Sequence, residues 1–298
     1  MVVSGEKCPF RSRIALDTFG GSWTHQKLEI LRLYLDTYTT VLKNQRFRLI
    51  YVDAFAGEGI WRSGVESAYT TDDYGEFYQV HEGSPKIALD IHNRPFDRFV
   101  FIEKDPIRCN KLAKMSSEFP DRDIEIKNGD ANSEIDTFCS SMGTYDRAVV
   151  FLDPFATQVS WNTVSNLAHT KKVDCWILFP LSAIARMMPV SAEPAEVMSE
   201  QLDRIFGERS FWHEEVYHEQ AQQNMFDEAP VNVRTRGSKQ IAACYRKRLV
   251  DTFERVAPTP RVFCNSKRSP LFELFFAASN PTGAPKAVEI ADHILNNW

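Results

Sequence analysis

Apolar and polar positions along this 298-residue chain fall into blocks of alternating period, and the blocks predict helices and strands in turn. Across 22–44, Leu28, Leu31, Leu35, Tyr38 and Leu42 recur at steps of three and four, one helix face with Ser22 or Thr24 as its N-cap. The run FRLIYVD predicts a strand ending at about Asp53, and AFAGEG after it a glycine turn. Residues 60–82 read as an aromatic, acidic, helix-poor insertion carrying Trp61, Tyr69, Tyr74, Phe77 and Tyr78. Gly83-Ser84-Pro85 then opens a helix, with serine as cap and proline in the first turn. RFVFIEKD predicts a strand ending near Glu103, 106–119 a helix, DIEIKNGD a strand ending near Asp130, and the next residues a helix to about Ser141.

The most informative block is RAVVFLDPF, 147–155. Five buried-type residues, Ala148 to Leu152, end abruptly in Asp153, Pro154 and Phe155. A continuous apolar run reads as an interior parallel strand, and proline forces the chain to turn. A helix follows Trp161, VDCWILFP is another strand, 193–206 an acidic helical stretch before a polar linker, and 239–255 a helix. RVFCN and LFELFFAAS, joined by the short loop 266–270, form an antiparallel hairpin. Strands alternating with helices mean parallel βαβ units. The expected fold is α/β, a mostly parallel sheet closed by a C-terminal antiparallel hairpin and preceded by an N-terminal helical extension. That is also the sheet of Rossmann-like class I methyltransferases. The length suits one elaborated domain: a helical extension at 1–46, a cofactor-binding core at 47–185, a helical and linker insertion at 186–237, and a completing helix, hairpin and helix at 238–298.

Composition narrows the class without naming it. There is no low-complexity tract, no repeat, no signal-like apolar stretch at the N-terminus and no run of the ~20 apolar residues a membrane span needs. Cys8, Cys109, Cys139, Cys175, Cys244 and Cys264 are scattered, none at metal-ligand spacing, so no metal is expected and the compartment expected is the cytoplasm. The seven histidines form no ligand set. Net charge is −5, but its distribution matters more. Segment 191–228 holds ten acidic and two basic residues; 234–268, opening on Arg234 and closing on Arg268, holds ten basic and two acidic. Two readings stay open: a phosphate-binding face for RNA or DNA, or two segments that neutralise each other.

The candidate chemistry lies at the strand ends, where open α/β sheets bind ligands. Asp53, Phe55, Gly57 and Gly59 match the D-x-F-x-G-x-G loop of S-adenosylmethionine enzymes. A dinucleotide fingerprint wants a small residue where Arg62 stands, which weakens the nicotinamide alternative. Glu103 is placed to accept both ribose hydroxyls of an adenosyl group, and Asp130 to accept from the adenine amine. Asp153-Pro154-Phe155 resembles the D-P-P-Y/F motif of amino methyltransferases acting on exocyclic nitrogens of bases, with Phe where the second proline would stand. The Asp153 carboxylate and Pro154 carbonyl take the amine's two hydrogens, and Phe155 stacks on the ring. The shorter D-P-F form is similar to that of enzymes methylating the guanine amine of transfer RNA, so the base stays open.

WTHQKLEILRLYLDTY, YVDAFAGEG, GSPKIAL, FIEKD, NGD, FLDPF, VDCWILFP and PLFELFFAASNPTGAPKAVEIADHIL occur in an order that resembles the three-Cys-motif partner (TcmP) family, itself similar to class I methyltransferases. The resemblance implies a bacterial or phage-borne cytoplasmic protein encoded beside a partner carrying three cysteines, with S-adenosylmethionine as cofactor. Two functions follow. The first is methylation of an exocyclic amine of a nucleic-acid base; the second is a catalytically silent, methyltransferase-like binding subunit of the three-cysteine partner.

Overall fold

The computed structural model describes residues 22–64, 78–220, 231–234 and 237–298. In chain order the first half contains α1 (Ser22–Leu42), β1 (Arg48–Asp53), β2 (Ile60–Gly64), β3 (Tyr78–Glu82), α2 (Ser84–Leu89), β4 (Arg98–Glu103), α3 (Pro106–Ser116), β5 (Ile124–Asn128) and α4 (Ala131–Ser141). Then come β6 (Asp146–Leu152), α5 (Trp161–His169), β7 (Val173–Phe179), α6 (Leu181–Met187), α7 (Glu196–Phe206), α8 (Arg209–Val216), β8 (Tyr217–Gln220) and β9 (Val231–Arg234). The chain closes with α9 (Lys239–Thr252), β10 (Arg255–Val256), β11 (Arg261–Cys264), β12 (Pro270–Ala278) and α10 (Ala284–Asn296).

The main sheet runs β10-β12-β7-β6-β1-β4-β5, with β11 also on β12. Strands β5, β4, β1, β6 and β7 are parallel. Strand β12 enters antiparallel between β7 and β10. From β1 the chain steps outward to β4 and β5, then returns to lay β6 and β7 on the other side. The order therefore reverses between β1 and β6, which makes that crevice the topological switch point. This is the Rossmann-like class I methyltransferase sheet, and the closing β11–β12 hairpin is antiparallel as its short loop required.

Because both faces are covered, successive strand residues point to opposite cores. Tyr51, Phe99, Phe101, Phe151, Trp176 and Phe276 pack beneath α1, α2, α3 and α10. Val52, Val100, Val150, Cys175, Ile177 and Phe275 pack beneath α4 to α9. Helix α1 lies antiparallel to the parallel strands. Trp23 at its start rests on Phe272, 4.9 Å between ring centroids, and Tyr38 near its end stacks on Phe96 at 6.1 Å.

Several expectations change in detail. Ser84 does not cap α2: Gly83 is the N-cap residue, and the Ser84 hydroxyl bonds Asp53 instead. Thr24 lies inside α1 and is buried, so it is no cap either. The polar stretch after α7 is not a bare linker, since it holds α8 and the β8–β9 pair. The helix read over 239–255 stops at Thr252 and gives way to β10. The 60–82 insertion is held at its base by β2 pairing with β3; its centre, with Tyr69, Tyr74 and Phe77, lies outside the described residues. Among the described residues no helix is long and apolar enough to cross a membrane and no His/Cys/Asp/Glu group forms a metal site.

Asp174, near the start of β7, accepts a hydrogen bond from Tyr34 of α1 at 2.7 Å. Burial pushes its carboxyl up to about 7, against the lowering effects of the Tyr34 bond and the Arg147 charge. An unfolded aspartate gives up its proton near pH 4. Between about pH 4 and 7 the folded chain keeps a proton that the unfolded chain has lost, so this contribution to stability is lost as pH rises through 7. Urea unfolding at pH 5 and pH 8 is expected to show lower stability at pH 8, Asp174 contributing on the order of 2–3 kcal/mol. Asp174→Asn should remove that share of the difference; an unchanged difference would contradict the assignment.

Candidate functional site

Four strand ends line one edge of the sheet. Glu103 and Asp53 end β4 and β1, Asp130 and Asp153 follow β5 and β6, and the strands are neighbours in the order β5-β4-β1-β6. At ~4.8 Å per strand the outer pair is on the order of 14 Å apart along the edge.

The loop after β1 is pinned to both neighbouring strands: Ala54 N–H donates to the Phe151 carbonyl (3.1 Å) and Ala56 N–H to the Ile102 carbonyl (3.0 Å). Gly57 and Gly59 both take positive φ, 62° and 81°, where a side chain is strained. Their surroundings differ. A Cβ on Gly59 would come within 2.6 Å of Met115 Cε, so that glycine lets the loop pack on α3. A Cβ on Gly57 would meet nothing within 4 Å, so the backbone there faces open space. Glu58 of this loop pairs with Lys111 of α3 at 2.7 Å.

Glu103 is the best-prepared acid of the edge. Its Oε2 accepts from Gly57 N–H at 3.0 Å and its Oε1 from Asp105 N–H at 2.8 Å. An ionised carboxylate has about four acceptor sites, so one site on each oxygen remains for a ligand hydroxyl while the backbone bonds fix the plane. The strand end itself is tied by Asn128, whose amide donates to the Glu103 and Lys104 carbonyls at 3.0 Å each.

Asp53 is placed differently from a ligand-touching acid. It is wholly buried. Its carboxyl accepts from Phe55 N–H and the Tyr51 hydroxyl, both at 3.2 Å, and from Ser84. Burial, with the nearby Asp153 charge, pushes it up to about 6, against the Ser84, Phe55 and Tyr51 bonds. Its action on any ligand runs through the loop it shapes. Phe55 is half-buried and packs against the core under α4 and α5. Asp130 is exposed and caps α4, its Oδ1 accepting from Asn132 N–H at 3.0 Å; its Oδ2 has no hydrogen-bond partner among the described residues.

On the other side of the switch point, Asp153 forms an ion pair with Lys27 of α1. Lys27 is 5% exposed. Its ammonium also lies 5.2 Å from the Trp23 ring centroid and 5.8 Å from that of Phe151. Pro154 is buried, whereas Phe155 is 80% exposed, the most exposed large apolar side chain among the described residues. The turn that carries them is held from several directions. Phe155 N–H donates to Gln158 Oε1 (3.0 Å), and Ala156 takes a φ of 64°. Gln201 and Arg204 of α7 donate to the Thr157 carbonyl at 2.9 and 3.0 Å. Asn132 donates to the Gln158 carbonyl (3.1 Å) and accepts from Ser160 N–H (3.0 Å), linking the turn to the Asp130 cap.

Lys27, Asn132, Gln201 and Arg204 are absent from the residues read off the strand ends. Lys27 carried a signal: it shares the apolar stripe of Leu31, Tyr34 and Tyr38, where a charged side chain needs a buried partner. The α7 contacts carried none.

The basic segment 234–268 is divided by the fold. The Arg234 side chain is buried and donates to the Met188 and Gly237 carbonyls. Lys247 pairs with Glu215, and Arg248 pairs with Glu208 at 3.1 Å. Lys267 and Arg268, in the β11–β12 turn, are exposed. Leu274 is level with Leu178, one residue beyond the Ile177 that is level with Leu152. Pro270 lies four residues further along β12, so the turn rises ~13 Å past the level of Asp153.

No family model and no curated protein matches the chain. Solved structures with a similar fold include protein LPL1258 of Legionella pneumophila, 13% identical over 90% of this chain and 91% of that one with a TM-score of 0.43. A putative methyltransferase, yhhF, of Escherichia coli is 14% identical over 67% and 84%, TM-score 0.31. An rRNA methylase of Streptococcus thermophilus is 11% identical over 70% and 93%, TM-score 0.31.

Proposed function

We propose that the chain is an S-adenosylmethionine-dependent methyltransferase acting on an exocyclic amine of a nucleic-acid base. One observation carries the reading: a single edge holds an oriented Glu103 beside open backbone at Gly57, and, across the switch point, an anchored Asp153 followed by Pro154 and an exposed Phe155. When bound, S-adenosylmethionine supplies an electrophilic methyl group. The residues suit it. The two remaining acceptor sites of Glu103 match a ribose diol, Gly57 leaves room for close approach, and Asp130 Oδ2 is an acceptor for the adenine amine.

An exocyclic amine shares its lone pair with the ring and is a poor nucleophile. Asp153 and the Pro154 carbonyl accept its two N–H groups and turn the lone pair toward the methyl, while Phe155 stacks on the ring. Lys27 holds the carboxylate in place, and the proton shed by the methylated nitrogen leaves along the Asp153 hydrogen bond. A base in a duplex or structured loop reaches such a site by extrusion from its stack.

Phosphates are gripped by Lys267 and Arg268 on the raised turn, rather than by Lys247 and Arg248, which are paired internally. Combining Lys267→Glu with Arg268→Glu is expected to weaken RNA or DNA binding and flatten its log–log salt slope by about two; Lys247→Ala and Arg248→Ala should leave that slope in place. Unchanged binding by the turn variant removes this role. The resemblance to three-Cys-motif partner proteins supports a partner carrying three cysteines.

The test of activity is incubation with methyl-labelled S-adenosylmethionine and, separately, transfer RNA, ribosomal RNA and DNA, followed by digestion to nucleosides. The expected result is label in an N-methylated base from one pool. Cofactor binding with no label in any pool would instead favour the silent binding subunit.

A further inference from the structure

At the opposite edge of the sheet, where the parallel strands begin, a cavity of about 400 Å³ opens between the end of α1 and the start of α10. Its size is within the range of small-molecule sites. Asp174 is a buried member of its lining. One carboxylate oxygen takes the Tyr34 hydroxyl; the other has no hydrogen-bond partner among the described residues. Arg147 also lines the cavity, its guanidinium 4.1 Å from the centroid of the Phe47 ring; Nη1 donates to the Asp146 and Thr144 carbonyls at 2.6 and 3.3 Å, and Nη2 has no hydrogen-bond partner among the described residues. No ion pair joins Asp174 to Arg147, so each keeps hydrogen-bonding capacity that the protein leaves unused. Lys172, whose Nζ donates to the Met142 carbonyl at 3.1 Å, and exposed Lys286, whose Nζ pairs with exposed Glu289 at 2.8 Å, add two more cations beside the cavity, and Tyr38, Phe47 and Ile290 supply apolar surface.

This combination is specific in kind. Above about pH 7, where Asp174 is ionised, its unpaired carboxylate oxygen calls for an N–H donor, aromatic walls call for a planar ring, and cations around the same space call for an anionic group. We propose that the cavity binds a mononucleotide: an amine-bearing base placed against Asp174, with its phosphate toward Arg147, Lys172 and Lys286. The site is separate from the strand-end site, because Asp174 is the second residue of β7 while Asp153 follows the last residue of β6. The inference does not depend on the methyltransferase reading.

Calorimetric titration of the full chain at about pH 8, above the range where Asp174 gives up its proton, with AMP, GMP, CMP and UMP tests it. At least one is expected to bind saturably at one site. Asp174→Asn, and separately the pair Lys172→Glu and Lys286→Glu, should weaken that binding at least about tenfold, while Glu103→Ala leaves it within about twofold. Circular dichroism of each variant keeps the comparison to folded protein, and Lys286 is exposed enough for its change to leave packing intact. No saturable binding by any of the four at millimolar concentration overturns the proposal, with ordered water as the content of the cavity. Binding lost in Glu103→Ala but kept in the cavity variants also overturns it, by placing the nucleotide in the strand-end site.

Discussion

Asp153→Asn is expected to lower methyl transfer about 10²- to 10³-fold, the usual scale for removing one oriented electrostatic group from an active site. S-adenosylmethionine affinity should stay within about threefold, because Glu103 and Gly57 lie across the switch point from residue 153. The amide keeps one oxygen acceptor but loses the charge, and its NH₂ group faces the Lys27 ammonium as a second donor. The acceptor amine is then held by one strong partner, the Pro154 carbonyl, and its lone pair is no longer aimed. Single-turnover transfer with labelled cofactor, alongside a binding isotherm, separates the two quantities. Transfer at the full rate would remove Asp153 from the acceptor site.

The second large effect belongs to Lys27. Its side chain is 6% exposed and that of Asp153 is 23% exposed, so the pair is mostly but not wholly removed from water. Breaking a fully buried pair from one side costs about 3–5 kcal/mol; with the carboxylate partly solvated, Lys27→Met should cost about 1–3 kcal/mol. Transfer should fall at least about tenfold as the carboxylate loses its anchor. Combining Lys27→Met with Asp153→Asn replaces both charges at similar volume, which is often neutral. The double variant is therefore expected to be more stable than Lys27→Met alone, with a coupling above about 1 kcal/mol in the four-protein cycle. Losses that add to within about 0.5 kcal/mol would show that the two side chains act independently.

What could be read from the chain follows the range of the interactions. Interior parallel strands are covered on both faces, so they appear as unbroken apolar runs, and their ends stand out wherever an acid, glycine or proline interrupts: Asp53, Glu103, Asp153. The β11–β12 hairpin was legible because so short a connection permits only antiparallel pairing. Long-range partners were not. Lys27 and Asp153 are 126 residues apart, and Tyr34 and Asp174 are 140 apart. Ser84 has a cap's residue type and position, yet the buried Asp53 carboxyl, three elements earlier, took its hydroxyl. The charged segments show the same limit, since composition counts Lys247, Arg248 and Arg234 as equally basic. Only the fold assigns the first two to carboxylates and the third to backbone carbonyls. The turn at Phe155 looks like a loop free to vary, but Gln201 and Arg204 of α7 hold it, which gives the acidic helical stretch a structural task.

Whether this strand-end edge holds an adenosyl cofactor is decided by calorimetric titration of the full chain with S-adenosylhomocysteine, with NAD in parallel. One saturable site for S-adenosylhomocysteine is expected, weakened about 10²- to 10⁴-fold by Glu103→Ala, the scale of losing two hydrogen bonds to a charged group, with no comparable binding of NAD. No binding of S-adenosylhomocysteine, or NAD bound in its place, would contradict that expectation.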